Sequence, residues 1–401
     1  MPAIEAPPWS LPQEEATFPR LSGRESCQIA VVGAGVAGLS AALHLALAGI
    51  AVGLVEAGRV GAGDSAHGNG MALPGMPEHY GAMVEAVGRD AARGWWRLAR
   101  DGIEALTDVL RDHRLECDWT RGGALLLASS EVELGEMTRA AREETEDGFE
   151  ARLMGPAAAS NYVPVADCEG ALYLPPAICL DPVQAMVQMA RLAAELGAAV
   201  REDSPALEVV LKNERAVVRC AQGELDAEVV VIAAGHGSST LLPVKVLFPL
   251  RGQNLATEAV REGPRGSTPA VSGNRGHEMY RRLSGEGMIA SGINPGSGPA
   301  EKTAERRVDP AFQDFLQALA YRRFPEMARV EVERRWATVY TCTVDGLPLI
   351  GPLPGHHRMH ALAGFSSRSW SLGFGAGRAV ARLLAGQTGE LPPGSSPRRF
   401  L

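Results

Sequence analysis

Residues 29–55 are almost wholly apolar, and His44 is the one titratable side chain among them. An apolar run of that length would suffice to cross a membrane, but glycines at 33, 35, 38, 49 and 53 break it up. The pattern predicts a strand over 29–32, a glycine turn, a helix reaching about Leu47, another turn, and a strand over 50–55 that ends at Glu56. Further along, "EMYRRLSGEGMIASG" sets two short runs either side of a Gly-Glu-Gly turn, as a hairpin should. The polar, glycine-rich stretches 262–277 and 294–304 read as loops. Residues 1–26 contain Pro2, Pro7, Pro8, Pro12 and Pro19 with the acids Glu5, Glu14 and Glu15. They lack the basic start and apolar core of a secretory signal and read as an extended strap or loose tail.

The first turn carries G-x-G-x-x-G at Gly33, Gly35 and Gly38. Between a strand and a helix the first glycine permits a tight turn, the second lets a pyrophosphate approach the backbone, and the third lets helix and strand pack closely. The helix N-terminus then offers unpaired N–H groups to phosphates. Glu56, at the end of the second strand, is placed to accept hydrogen bonds from ribose hydroxyls, and its charge would repel the 2′-phosphate of NADP. No second fingerprint follows a later strand; "GFGAG" at 373–377 lacks the third glycine at the right spacing. A single dinucleotide site suits a protein that holds one FAD and is reduced directly by its substrate.

Composition narrows the partners. The 401 residues are 46% hydrophobic and 21% charged with a net charge of -8, an ordinary globular balance that argues against nucleic acid as a partner. Cys27, Cys117, Cys168, Cys179, Cys220 and Cys342 are scattered without a C-x-x-C or metal spacing, so free thiols in a reducing, cytoplasmic compartment are expected, with no metal.

Several longer stretches resemble the FAD-dependent D-amino-acid oxidase (DAO) superfamily, the group of glycine oxidase, sarcosine oxidase and γ-glutamylputrescine oxidoreductase. They are "FPRLSGRESCQIAVVGAGVAGLSAALHLALAG", "AICLDPVQAMVQMARLAAELGAAVRED", "AEVVVIAAGHGS", "VDGLPLIGPLP" and "ALAGFSSRSWSLGFGAGRAVARLLAG". The resemblance implies an α/β fold: a Rossmann-type FAD-binding domain from 27–84, 154–245 and 335–387, interleaved with an α+β substrate domain on an antiparallel sheet from 85–153 and 246–334. The strap (1–26) and a tail (388–401) lie outside both. It also implies that substrate hydride passes to the flavin N5, giving an imine that water hydrolyses. The substrate would be an amine or amino acid, and the final acceptor O2 or another oxidant. The alternatives are an FAD enzyme reduced by NAD(P)H and a catalytically silent flavin-binding protein.

Flavin-dinucleotide contacts are expected from Gly33, Gly35, Val36, Ala37 and Gly38, from Glu56, Ala57 and Arg59, and from Ser65, His67, Gly68, Asn69, Gly70 and Met71. Leu207, Ala234, Gly235, Ser369, Trp370 and Ser371 complete that set. On the substrate side the candidates are Tyr340, Arg368, Trp370 and Tyr280. Tyr340 stands where the family's carboxylate-clamping arginine is expected, and a tyrosine gives one hydrogen bond where an arginine fork gives two. Arg251, Tyr280, Arg282 or Arg368 would then supply the carboxylate partner, although a structural ion pair is the commoner role of such arginines. Ser369, in place of a family glycine, and the bulky Trp370 would reshape the space by the flavin. A helix beginning near Phe374 would direct its N-terminus at the flavin's pyrimidine end.

His67 resembles the histidine that carries a covalent flavin in the dimethylglycine and sarcosine dehydrogenase branch, with Gly70 following. Asn69-Gly70 equally resembles the S-F-A-N-A-G loop of D-amino-acid dehydrogenases, which has no reactive group at that place. Noncovalent FAD is the favoured expectation and attachment through His67 the alternative. Thr338 stands where the family's flavin-bearing cysteine would be.

Overall fold

The computed structural model describes residues 4–9, 11, 18–212, 214–259, 270–273, 278–283, 287–294 and 298–400. The apolar run folds as its pattern requires: strand Ile29–Val32, helix Val36–Leu47 and strand Val52–Val55. Both strands are buried at every position, which is why they read as unbroken apolar runs. They lie in a six-stranded sheet whose order is Leu349–Leu353, His356–Ala363, Val229–Ile232, Ile29–Val32, Val52–Val55, Ala199–Arg201. All neighbours are parallel except the first pair. Leu39, Leu43 and Leu45 of the helix are fully buried, so shortening any of them to alanine would cost about 2–5 kcal/mol.

Glycine is required where chains touch. Gly33 has φ +102°, and a Cβ there would sit 2.5 Å from the carbonyl oxygen of Ala233. A Cβ on Gly38 would come within 1.9 Å of the Gly33 oxygen. The fingerprint therefore closes the first turn against the neighbouring strand and seats the helix on it.

The strap docks on both halves of the molecule. Gly23–Ser26 pairs in parallel with Gly223–Ala227, at the edge of a four-stranded sheet completed by Arg215–Cys220 and Ala206–Lys212. Ile4 bridges to Arg334, and buried Trp9 donates its indole N–H to the oxygen of Ala66.

An eight-stranded sheet forms the second layer, in the order Val332–Thr343, Leu247–Thr257, Met288–Gly292, Glu278–Arg282, Ala270–Gly273, Ala124–Ala128, Gly170–Leu174, Arg152–Met154. Gly170–Leu174 and most of Val332–Thr343 come from segments that the sequence assigned to the FAD-binding half. Glu278–Arg282 and Met288–Gly292 pair antiparallel as the hairpin reading requires; part of the turn, 284–286, lies outside the described residues. Ala270–Gly273 is a strand within the stretch read as a loop, held by pairing on both edges rather than by its own composition. The rest of 262–277 lies outside the described residues. In 294–304 the chain makes a short 3-10 turn, Gly298–Glu301.

Strand alternation gives this sheet two unlike faces. Leu255, Ala290, Tyr280 and Val271 pack with Leu316, Ala320 and Phe324 of the helix Pro310–Arg323 and its end. Asn254, Ser291 and Met279, a residue away on the same strands, look the other way, toward the first layer.

Candidate active site

A cavity of about 490 Å³ opens at the carboxyl ends of the parallel strands, where sheets of this kind bind ligands. Gly33, Gly35, Val36 and Ala37 form one wall, Glu56 and Ala57 the next, and Ser65, Gly68, Asn69 and Met71 a third. Ala234 and Gly235 enter from the strand Val229–Ile232; Tyr340, Ser369 and Trp370 close the far end. The helix Val36–Leu47 has no side-chain cap at Gly35 beyond a long 3.4 Å contact from the Val36 N–H to Ser65 Oγ, so its first amides remain available to an anion. Glu56 secures the loop below: one carboxylate oxygen accepts from the Ala34 N–H at 2.7 Å, the other from the Gly58 N–H at 3.1 Å.

Other expected residues stand behind this lining. Gly38 is buried in the helix–strand contact, and Ser371 is buried with its hydroxyl donating to the oxygen of Arg368 at 3.3 Å. Gly70 has φ +65° and its Cβ would collide with the oxygen of Leu180, so it turns the loop that Arg281 holds through the carbonyls of Gly70 and Leu180. Arg59 is half-buried, with Nε unpaired.

Two expectations are corrected. Leu207 is 64% exposed; its neighbours Pro205 and Ala206 line the cavity instead. The strand there is a sheet edge, and which residue turns inward depends on register. Tyr280 points to the opposite face of the eight-stranded sheet, bonded to Glu278 and packed edge-on against Phe324, so it cannot reach the cavity. Its neighbours Met279 and Arg281 face the cofactor-side loops.

Of the candidate arginines, Arg251 is buried against Glu301 and Arg282 lies 3.7 Å from Glu326, both in structural pairs. Arg368 differs. It is 3% exposed, its side chain makes only long contacts among the described residues, to Ser367 Oγ and the Met76 oxygen at 3.4 Å and Met279 Sδ at 4.0 Å, and its Nε is unpartnered. Its guanidinium is held down to about 10 by burial. Both flanking residues, Ser367 and Ser369, line the cavity, and Tyr340 is close enough to be felt electrostatically. Tyr340 itself is buried, which pushes its phenol well above the ordinary value and keeps it a neutral hydrogen-bonding group. Trp370 lines the cavity with its indole N–H unpartnered. The single π-turn Ser369–Gly373 leads into the helix Phe374–Leu384, as expected from the sequence.

Sequence reasoning missed the ionic cluster at the mouth. Asp64 accepts from His236 Nδ1 at 2.8 Å and pairs with Arg306 Nε at 3.2 Å, and Arg306 donates to His67 Nε2 at 3.0 Å. Asp64, His236 and Arg306 line the cavity; His67 itself does not. Its Nδ1 donates to the Gly63 oxygen and burial lowers its pKa, so the ring is neutral with its remaining lone pair occupied. No local signal ties Arg306 to Asp64, because the contact spans the fold.

Residues 28–383 match the family described as DAO, FAD dependent oxidoreductase. The chain belongs to the DAO family. Among curated DAO-type relatives, γ-glutamylputrescine oxidoreductase of Escherichia coli (strain K12) is 26% identical over 92% of this chain and 86% of its own length. Glycine oxidase of Pseudomonas aeruginosa is 28% identical over 91% and 97%. Among solved structures, glycine oxidase from Geobacillus kaustophilus superposes with a TM-score of 0.79 at 23% identity, covering 94% of this chain and 99% of that one. L-proline dehydrogenase from P. horikoshii gives 0.79 at 23%, covering 96% and 98%. This DAO protein is thus an FAD-dependent oxidoreductase, and its own residues fit FAD: a glycine turn that no side chain could occupy, an uncapped helix N-terminus and an acidic strand end share one cavity. Among the described residues no helix is long and apolar enough to cross a membrane.

Proposed function

We propose that this enzyme oxidises the C–N bond of an amino acid whose carboxylate pairs with Arg368, with FAD held noncovalently. The observation that carries the reading is a buried guanidinium, beside the cavity, with no carboxylate partner among the described residues. An unpaired buried charge is costly, and a substrate anion supplies the missing partner. FAD, when bound, would supply the oxidising equivalent for the substrate's C–H bond. The chain's part is to bind and orient: Arg368 takes the carboxylate, and Trp370 and Tyr340 bound the space, Trp370 with its indole N–H unpartnered. Noncovalent binding is supported by His67, whose ring lies outside the lining with both nitrogens engaged. The imine product would be hydrolysed by water, and O2 or another acceptor would reoxidise the flavin. Six free cysteines suit a reducing, cytoplasmic setting.

The test is anaerobic mixing of the yellow protein with a panel of amino acids and of amines lacking a carboxylate. Bleaching by amino acids, weakened about 100-fold in kcat/KM by Arg368→Met, is the expected result. Equal bleaching by carboxylate-free amines, indifferent to R368M, would overturn the carboxylate assignment. Acid precipitation should leave the yellow colour in the supernatant; colour in the pellet that His67→Ala abolishes would overturn noncovalent binding.

A further inference from the structure

A second cavity, of about 420 Å³, shares none of its lining with the cofactor cavity. It lies between the helices Arg89–Asp112 and Phe374–Leu384, with the tail 389–393 along one side. The two helices touch backbone to backbone at its floor. A Cβ on Gly375 would lie 2.5 Å from the oxygen of Leu98 and 3.1 Å from the Gly102 Cα. Beyond that contact one helix runs back toward its N-terminus while the other runs forward, and a Cβ on Gly94 would meet Pro393 of the tail at 3.1 Å. The helices therefore leave the contact side by side, and the cavity opens between them.

Each helix contributes two arginines to this space, four residues apart: Arg93 and Arg97 from one, Arg378 and Arg382 from the other. Like charges at that spacing lie a turn apart on one helix face and repel. The carboxylates in the lining relieve only part of this. Asp90 is committed to Arg93 at 2.7 Å, and Asp101, although one turn from Arg97, pairs instead with Arg100 at 2.8 Å. Glu390, the third acid, is exposed on the tail. Among the described residues the exposed Arg97 and the half-buried Arg378 and Arg382 form no ion pair and no side-chain hydrogen bond. The Nε of Arg382 is buried without a partner, in a fold where such donors are normally satisfied.

We propose that this cavity binds a compact polyanion carrying a phosphate chain, held between the two arginine pairs. The chemistry follows from the donors. Three unpaired guanidiniums around one recess call for several negative charges in a small volume. A chain of two or three phosphates supplies them, and each tetrahedral group can accept from both N–H groups of a planar guanidinium fork. A single carboxylate would serve one arginine and leave the others facing each other. The volume falls within the range of small-ligand sites and exceeds what a lone phosphate fills. The site does not depend on which substrate is oxidised, because it lies outside the cofactor cavity, on the far side of the helix that follows Trp370.

The experiment is calorimetric titration of the FAD-loaded protein, its dinucleotide cavity already filled, with tripolyphosphate, ATP and citrate at one fixed ionic strength. Tripolyphosphate should bind saturably at one site per chain. The double variant R378Q/R382Q should weaken it about tenfold or more, and R97Q, on the other helix, should weaken it in the same direction. Melting temperatures of the ligand-free variants should be unchanged or raised, because each substitution removes a like-charge repulsion from a helix face. ATP binding at least as tightly as tripolyphosphate would identify the ligand as a nucleotide; tripolyphosphate binding without ATP would identify the bare chain. Heat that never saturates, or an affinity unchanged in both variants, would overturn the site. Citrate bound as tightly as tripolyphosphate would overturn the phosphate assignment. Release of FAD by tripolyphosphate would put the phosphates in the cofactor cavity and overturn the second site as well.

Discussion

Glu56 keeps the glycine turn in register from below, through two backbone amides. Glu56→Gln keeps the shape but exchanges a carboxylate oxygen for an N–H that cannot accept from either amide. FAD affinity should fall about tenfold or more, measured by equilibrium dialysis against the wild type. Cys117 and Cys220 behave oppositely to reactive thiols: burial pushes them up to about 12 and about 11, and Cys27 to about 11. At neutral pH these three should therefore stay unlabelled by iodoacetamide in the native protein and react once it is unfolded; fast native labelling of Cys117 would contradict its burial. At this scale the fingerprint glycines and Glu56 were legible because what they do is local to one strand–turn–helix. Tyr280 and Leu207 were not. Which face a strand residue shows depends on pairing partners far along the chain, and a shift by one residue reverses it.

Between elements, the site depends on backbones that touch without side chains between them. Gly377, in the helix Phe374–Leu384, meets the helix Val36–Leu47 so closely that a Cβ would lie 2.5 Å from the oxygen of Ala37. Gly102, in the helix Arg89–Asp112, would place a Cβ 2.2 Å from the oxygen of Ser371, in the turn after Arg368. Gly377→Val should destabilise the protein by about 2–3 kcal/mol through overpacking. It should also loosen FAD, because Ala37 lines the cavity; a lowered urea midpoint with unchanged FAD affinity would disconnect the two. The helix start near Phe374 could be read from its own segment. The strand Ala270–Gly273 and the Asp64–His236–Arg306 cluster could not: the first is stabilised by its neighbours on both sides, and the second joins residues brought together only by the complete fold.

For the molecule as a whole, two half-buried histidines set an acid limit. His44 and His360 are held near a pKa of about 4 by burial, against 6.5 for a free ring. Their folded values lie below their unfolded ones, so the unfolded chain takes up protons that the native state refuses. Stability from this source is complete above pH 6.5 and falls as pH drops toward 4, by about 1.4 kcal/mol per pH unit for each ring. Urea midpoints measured from pH 7 to 4.5 should show this slope, and His44→Gln should reduce it. The interleaved two-layer plan was legible through resemblance spread over the whole length. The assignment of 170–174 and 335–343 to the eight-stranded sheet was not, since those stretches lie in segments that otherwise build the other layer.

The strap lends these layers a mechanical link. Ile4 is bonded beside Arg334 in one layer, Gly23–Ser26 is paired into the other, and between them Trp9 holds Ala66, in the short helix Asp64–His67 over the cavity. Parting the two layers must peel this segment, so it acts as a latch on cofactor exchange. Removing the residues through Trp9 should therefore quicken FAD release far more than it slows capture, a change in residence time that stopped-flow displacement of the flavin would reveal.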